Sequence, residues 1–130
     1  AYLHDFSAVH DFEHLNEHPI QGAKVADELL KQFNYSDHLI SQVKEAILRR
    51  SKPQSGKQMT TEAICLSNAD AMSELARPLF WLYFGYTVKK RNYKEGIQVY
   101  TKWMEESWEN MIEPAREMVA EEYARLKKLR

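Results

Sequence analysis

Residues 19–33, PIQGAKVADELLKQF, decide the fold class, because apolar side chains recur in them at helical spacing. Pro19 suits the first position of a helix, where a missing backbone N–H leaves no hydrogen bond unmade. The apolar side chains are predicted to share one face: Ile20, Ala23, Ala26, Leu30 and Phe33. We therefore expect an amphipathic helix that buries this face.

The following residues continue with further helices at the same spacing. Ser36 is the predicted N-cap of a second helix, which extends to about residue 50. Thr60 or Thr61 is the predicted cap of a third helix, which Pro78 interrupts. An aromatic helix is expected over residues 79–88, after the interruption.

Two apolar stripes predict helices in the last third of the chain. The stripes comprise Ile97, Tyr100, Met104, Trp108 and Met111, and then Met118, Val119, Tyr123 and Leu126. The 130 residues include only four glycines and four prolines, which is few for a protein of strands and tight turns. We therefore predict a compact all-α fold that forms one domain over residues 1–130.

The composition excludes several classes of protein. The 18 basic and 19 acidic side chains leave a net charge of −1, which argues against a nucleic-acid partner or an anionic membrane surface. The single cysteine, Cys65, excludes an internal disulfide and favours a reducing, cytoplasmic location. The longest aromatic and apolar run, residues 79–86, is far shorter than the roughly 20 residues of a membrane-spanning helix.

The chain opens with three residues, Ala1-Tyr2-Leu3, that lead directly into His4-Asp5. Helices usually begin with a polar cap, and this stub has none. We expect residues 1–5 to be the end of a helix whose beginning precedes the sequence.

Histidine is concentrated near this start, since four of the five histidines lie in the first 18 residues. Imidazole and carboxylate together form the ligand set of Mn, Fe, Zn, Ni or Mg sites. The alternatives are a metal site and a polar loop with scattered histidines. The candidates are His4, His10, His14 and His18, with Asp5, Asp11 and Glu13.

Asp70 is the second candidate for chemistry, because it interrupts a helix of apolar and small residues, AICLSNADAM at 63–72. A buried carboxylate is costly unless it is paired, hydrogen-bonded or bound to a metal. The alternative is a partly exposed aspartate without a special role. Asn68 projects differently and would lie beyond the direct ligands.

Several stretches together resemble one family. Residues 3–6, LHDF, are similar to the His-Asp doublet that names the HD superfamily of metal-dependent phosphohydrolases. The stretches HPIQGAKVADELL (18–30), VKEAI (43–47) and TEAICLSNAD (61–70) are similar to helices of that family in the same order. Residues 103–126 resemble the C-terminal helices of a compact, mostly uncharacterised subgroup.

The resemblance implies that His4, Asp5 and Asp70 hold one divalent metal cation, such as Mn, Fe, Ni, Co, Zn or Mg. The family's first histidine ligand has no counterpart here, which agrees with the expectation of a missing N-terminal helix or helices. A further family histidine is replaced around Arg50, so one metal is expected rather than two. His18 is retained as a further ligand or a catalytic group.

Two function classes follow. The favoured one is a metal-dependent phosphohydrolase that acts on a nucleotide or another small phosphoester, with Arg50 and Lys57 holding the phosphate charge. Arg49 and Lys52 are alternatives for that role, whereas His10, Asp11 and His14 are further acid–base candidates. The other class is a non-catalytic helical binding module with a degenerate or structural metal site. In that class the aromatic segment binds a partner. The alternatives for its residues Phe80, Trp81, Tyr83, Phe84 and Tyr86 are core, a homodimer face or a base-stacking pocket.

Overall fold

A computed structural model describes residues 3–5, 18–49 and 59–129 of the chain. Throughout these ranges the ordered elements are helices and no strand occurs, so the all-α prediction is confirmed. The α-helices are α1 His18–Gln32, α2 Asp37–Arg49, α3 Thr61–Ala76, α4 Pro78–Thr87, α5 Tyr93–Asn110, α6 Glu113–Met118 and α7 Ala120–Leu126, followed by a 3₁₀ turn at Lys127–Leu129.

The chain divides into two compact units, Ala1–Ser67 and Asn68–Arg130. The N-terminal unit contains α1 and α2, which pack against each other. The turn between them is set by Asn34, whose left-handed φ of 56° ends α1. The Asn34 N–H donates to the Lys31 carbonyl and the Tyr35 N–H donates to the Leu30 carbonyl. These two bonds satisfy carbonyls that the end of the helix would otherwise leave unpaired.

The core of the N-terminal unit is formed by Ala23, Ala26 and Ile47, with Leu3 and Val43 packed against it. Small alanines on α1 allow close contact with the larger side chains of α2.

The predicted apolar face of α1 is buried only near the middle of the helix. Ile20 lies in the first turn of α1 and Phe33 directly follows its last residue, and they are 65 % and 70 % exposed, which corrects the expectation that both are buried. A helix buries only the part of its apolar face that a neighbouring element covers.

Local capping follows the sequence expectations. The Leu39 N–H donates to the Ser36 hydroxyl at the start of α2, and the Ala63 N–H donates to Thr60 Oγ1 at the start of α3. Thr60 is therefore the cap of α3 rather than Thr61. Pro78 ends α3 and occupies the first turn of α4, as predicted.

The C-terminal unit has a core of its own, built on the predicted stripe of α5. Trp81 of α4 meets Trp103 of α5 edge to face at 4.7 Å, and Trp108 stacks on Tyr123 at 4.0 Å. The buried members of this core are Leu75, Tyr100, Met104, Met111, Ala115, Val119 and Leu126.

The last predicted helix is divided at Val119, which ends α6 and precedes α7. Met118 is 73 % exposed, although the sequence pattern placed it in the same apolar stripe as Val119, Tyr123 and Leu126. No helix in the described part of the chain combines the length and apolar character that crossing a bilayer requires.

Candidate metal centre

The predicted His4-Asp5 doublet lies in a short described turn, residues 3–5, of the N-terminal unit. Leu3, directly before the doublet, packs against the core of Ala23, Ala26 and Ile47. This apolar anchor holds the backbone of the doublet against α1 and α2. Local packing therefore fixes the backbone positions from which the His4 imidazole and the Asp5 carboxylate extend.

The doublet and His18 form a cluster of three titratable side chains. The His4 Nε2 atom lies 3.2 Å from Asp5 Oδ2, and the His18 Nε2 atom lies 3.9 Å from Asp5 Oδ1. The two histidine side chains are 22 % and 20 % exposed, whereas the Asp5 side chain is 47 % exposed. Asp5 thus has one oxygen turned to each histidine and remains accessible to solvent.

The shorter distance suits two ligands of one ion. Metal–ligand bonds of about 2.0–2.2 Å place neighbouring ligand atoms roughly 3 Å apart around a small divalent cation. The 3.2 Å between His4 Nε2 and Asp5 Oδ2 matches that spacing. The donor set also fits, because imidazole nitrogen and carboxylate oxygen bind Mn, Fe, Zn and related ions.

His18 occupies the start of α1, where Pro19 follows it. Its 3.9 Å separation from Asp5 Oδ1 is longer than a hydrogen bond and longer than the spacing of adjacent ligands. His18 is therefore a neighbour of the doublet. It lies near Asp5 Oδ1, whereas His4 lies near Asp5 Oδ2.

Asp70 belongs to the C-terminal unit and lies near the middle of α3. It is half-buried, which lies between the buried carboxylate and the partly exposed aspartate that the sequence left as alternatives. One turn earlier is Ser67, and one turn later Ser73 donates to the Asp70 backbone carbonyl at 2.8 Å. The role of Asp70 as a ligand stays a prediction.

Asn68 has a structural role that the sequence did not reveal. Its Oδ1 accepts a hydrogen bond from the Ile112 N–H at 2.9 Å, next to the start of α6. Asn68 is 9 % exposed, so this bond satisfies a backbone donor at a helix terminus. The only indication of this role in the sequence was the presence of a polar residue inside an apolar helix.

The predicted phosphate-binding and remaining acid–base residues lie outside the described residues: Arg50, Lys52, Lys57, His10, Asp11 and His14. The structure does describe Arg49, which forms an ion pair with Glu45 at 2.8 Å on the same helix. That contact is an ordinary pair one turn apart on a helix surface.

Gly22 is a feature of this site to which sequence reasoning assigned no role. It lies buried in α1, where glycine costs about 1 kcal/mol relative to alanine. A Cβ atom at this position would lie 3.2 Å from the His4 carbonyl oxygen and 3.4 Å from the Leu3 carbonyl oxygen. A glycine inside a helical pattern was the available signal.

An all-α fold with a histidine–aspartate doublet beside the first turn of a helix is typical of a class of helical domains that bind divalent metals. The sequence model of the HD domain matches residues 1–75, and the chain belongs to this family. The match covers the doublet, α1, α2 and Asp70. No curated protein and no solved structure has a significant match to the chain.

Proposed function

We propose that the protein is a metal-dependent phosphohydrolase that cleaves a nucleotide or another small phosphoester. Membership of the HD domain family supports this proposal, because members of that superfamily act on phosphorylated substrates with a divalent metal. The observation that carries it is the pair of donor atoms 3.2 Å apart on His4 and Asp5.

The proposed ligands are His4, Asp5 and Asp70, each of which is half-buried and offers one ligand atom. One imidazole and two carboxylates suit Mn, Fe, Ni, Co, Zn or Mg to different degrees. Three protein ligands leave further coordination positions open, which is typical of a catalytic site rather than a structural one. When bound, such a cation would lower the pKa of a water molecule and polarise a phosphoryl oxygen.

The protein's own residues supply the rest of the proposed chemistry. Asp5 orients its carboxylate between the two histidines, with one oxygen near each. His18 is the proposed general acid. Its Nε2 would deliver a proton to the leaving oxygen of the substrate. Its 20 % exposure leaves the imidazole within reach of a ligand from solvent.

Arg50 and Lys57 are proposed to bind the phosphate charge that the metal does not neutralise. Phosphoryl transfer depends on cationic groups that stabilise charge on the non-bridging oxygens. Both residues lie close in sequence to the end of α2, whose last described residue is Arg49. Their substitution is expected to weaken substrate binding more than metal binding.

A helical binding module is the second candidate function, and one observation favours it. α4 carries large apolar side chains that remain open to solvent, including Leu79 at 81 % and Tyr83 at 67 % exposure. Exposed apolar patches mark interaction sites more often than scattered single residues do. The same face would suit a homodimer, in which the metal site would serve structure alone.

The test is a hydrolysis screen of the protein supplied with each candidate metal in turn. The substrates are nucleoside mono-, di- and triphosphates, cyclic nucleotides and generic phosphoesters. We expect metal-dependent release of phosphate or of a nucleoside product from at least one of them. Loss of turnover in Asp5→Ala is expected, because the substitution removes a proposed ligand.

The control for that variant is Asp27→Ala, which removes a carboxylate from α1 that is ion-paired with lysines instead. It should retain activity at a temperature where it stays folded. A metal-loaded protein that is inert on every substrate would contradict the proposed function, and so would full activity in Asp5→Ala. Inertness together with self-association through α4 would favour the binding module.

A further inference from the structure

Gly22 lies closer to the backbone of the doublet than an ordinary side chain permits. The Cβ of any other residue would stand 3.2 Å from the His4 carbonyl oxygen, 3.4 Å from the Leu3 carbonyl oxygen and 3.5 Å from Ile47 Cγ2. The first of these distances is tighter than ordinary van der Waals contact. The neighbouring atoms would therefore have to move by a few tenths of an ångström.

The backbone conformation gives no reason for glycine here. Gly22 has no left-handed φ and lies within the regular helix His18–Gln32. The remaining reason is space, because the missing side chain lets α1 lie directly against residues 3 and 4. The contact is with the backbone, which can yield only if the turn itself shifts.

Such a shift would reach the proposed ligands directly. The His4 carbonyl and the His4 imidazole belong to the same residue, and the Asp5 carboxylate follows one residue later. Leu3 packs against the core of Ala23, Ala26 and Ile47, so moving the turn away from α1 would cost this apolar contact. Ligand distances tolerate errors of only about 0.2 Å.

We propose that Gly22 is a positioning residue for the metal site, because its missing side chain sets where His4 and Asp5 lie relative to α1. This inference rests on the proposed function, since it requires that His4 and Asp5 bind a metal. Gly22 has no side chain that could bind a metal, and it acts only through the backbone of the doublet. The consequence is a site whose affinity for metal depends on a residue that has no ligand atom.

The test compares Gly22→Ala with the other two described glycines in helices, Gly85 and Gly96. In Gly85→Ala the new Cβ would meet, among the described residues, only the Arg91 Nη1 atom at 3.8 Å, an ordinary contact. In Gly96→Ala it would overlap the ring of Tyr86. Both positions lie in the C-terminal unit, away from residues 3 and 4 in sequence. They provide a neutral control and a control for packing strain.

Two measurements are made on the whole chain: a titration with Mn²⁺ and the imidazole ¹H–¹⁵N resonances of the metal-free protein. We expect Gly22→Ala to raise the Kd for Mn²⁺ about tenfold, the size of effect seen when a neighbour that orients a ligand is lost. The His4 resonances should shift, whereas those of His38, exposed on α2, should not. Gly85→Ala and Gly96→Ala should keep the wild-type Kd, even though Gly96→Ala unfolds at a lower temperature.

An unchanged Kd in Gly22→Ala, while the wild-type protein binds Mn²⁺, would overturn this inference and leave the proposed function intact. A wild-type protein that binds neither Mn²⁺ nor any other candidate metal would overturn both. Loss of the fold in Gly22→Ala while Gly96→Ala stays folded would also overturn the inference. In that case Gly22 would be needed to fold the unit rather than to place the doublet.

Discussion

At the scale of the single residue, a glycine without a side chain allows two helices, α4 and α5, to approach each other closely. Gly96 of α5 faces the ring of Tyr86 of α4, and an added Cβ would overlap Tyr86 Cε1 and lie 3.1 Å from its Cδ1 and Cζ atoms. Gly85 is also buried, but within the described ranges a Cβ there would approach no atom closer than Arg91 Nη1 at 3.8 Å. The two positions therefore differ in space rather than in backbone conformation.

We expect alanine to have opposite effects at these two positions. Gly96→Ala should lower the free energy of unfolding by about 1–3 kcal/mol, because overpacking forces the Tyr86 ring to move. Gly85→Ala should raise it by about 0.5–1 kcal/mol, because alanine loses less backbone entropy in a helix. Urea unfolding of the two variants beside the wild type measures both changes. Equal effects of the same sign would show that the α4–α5 contact is described wrongly.

The caps were predictable from sequence, because a cap depends on neighbours in the chain. Ser36 and Thr60 accept hydrogen bonds from backbone N–H groups three residues later, as their residue types predicted. The space requirement at Gly22 was not predictable, because it arises from residues 3 and 4, which lie 18 or more positions away in sequence. The hydrogen bond from Ile112 to Asn68 was missed for the same reason.

At the scale of the helix, α1 and α2 are joined by a charged contact beside their apolar one. Asp27 of α1 lies 2.7 Å from the Lys31 ammonium one turn later and 2.8 Å from the Lys44 ammonium of α2. Hydrogen bonds from Lys31 first, and then from Lys44, hold the pKa of Asp27 below its usual value. Asp27 in turn raises the pKa of Lys31, mainly through the same hydrogen bond.

This contact predicts a dependence of stability on pH. A carboxylate whose pKa is lowered by folding stabilises the protein above its unfolded pKa of about 3.9, and that stabilisation is lost as the pH falls through the folded value. Asp27→Asn should therefore melt at a lower temperature than the wild type at pH 7. The difference should shrink as the pH falls below about 4.

Melting temperatures of wild type and variant across this range, followed by circular dichroism, measure the effect. The matched control is Glu28→Gln, an exposed carboxylate on the same helix, for which a much smaller difference is expected. A gap between wild type and Asp27→Asn that stays constant from pH 7 to pH 3 would contradict the contribution of this contact.

Helical faces were only partly predictable, because burial depends on what covers a face. The stripe over α5 was correct at Tyr100 and Met104, which are 6 % and 3 % exposed. The same reasoning failed for Ile20, Phe33 and Met118, which stand at or next to the ends of helices and remain largely exposed. Periodicity identifies the face, whereas tertiary packing decides how much of it is buried.

At the scale of the whole molecule, the family and the fold could be predicted from the sequence more completely than the site could. The ordered series of motifs identified the HD domain, which the family match over residues 1–75 confirms. The similarity of residues 103–126 to a particular subgroup lies outside that match and stays a prediction. The proposed substrate-binding residues Arg50 and Lys57 depend on local geometry, which residue types alone do not supply.

The central claim is that His4, Asp5 and Asp70 hold one divalent cation, and the metal content of the purified, untagged protein tests it most directly. Elemental analysis should find about one equivalent in the wild type and in the control Asp27→Ala, whose carboxylate is ion-paired with Lys31 and Lys44. Asp70→Ala should lose most of that metal, because a three-residue ligand set becomes a pair. An unchanged metal content in a folded Asp70→Ala protein, or no metal in the wild type after growth and loading with each candidate ion, would contradict the account.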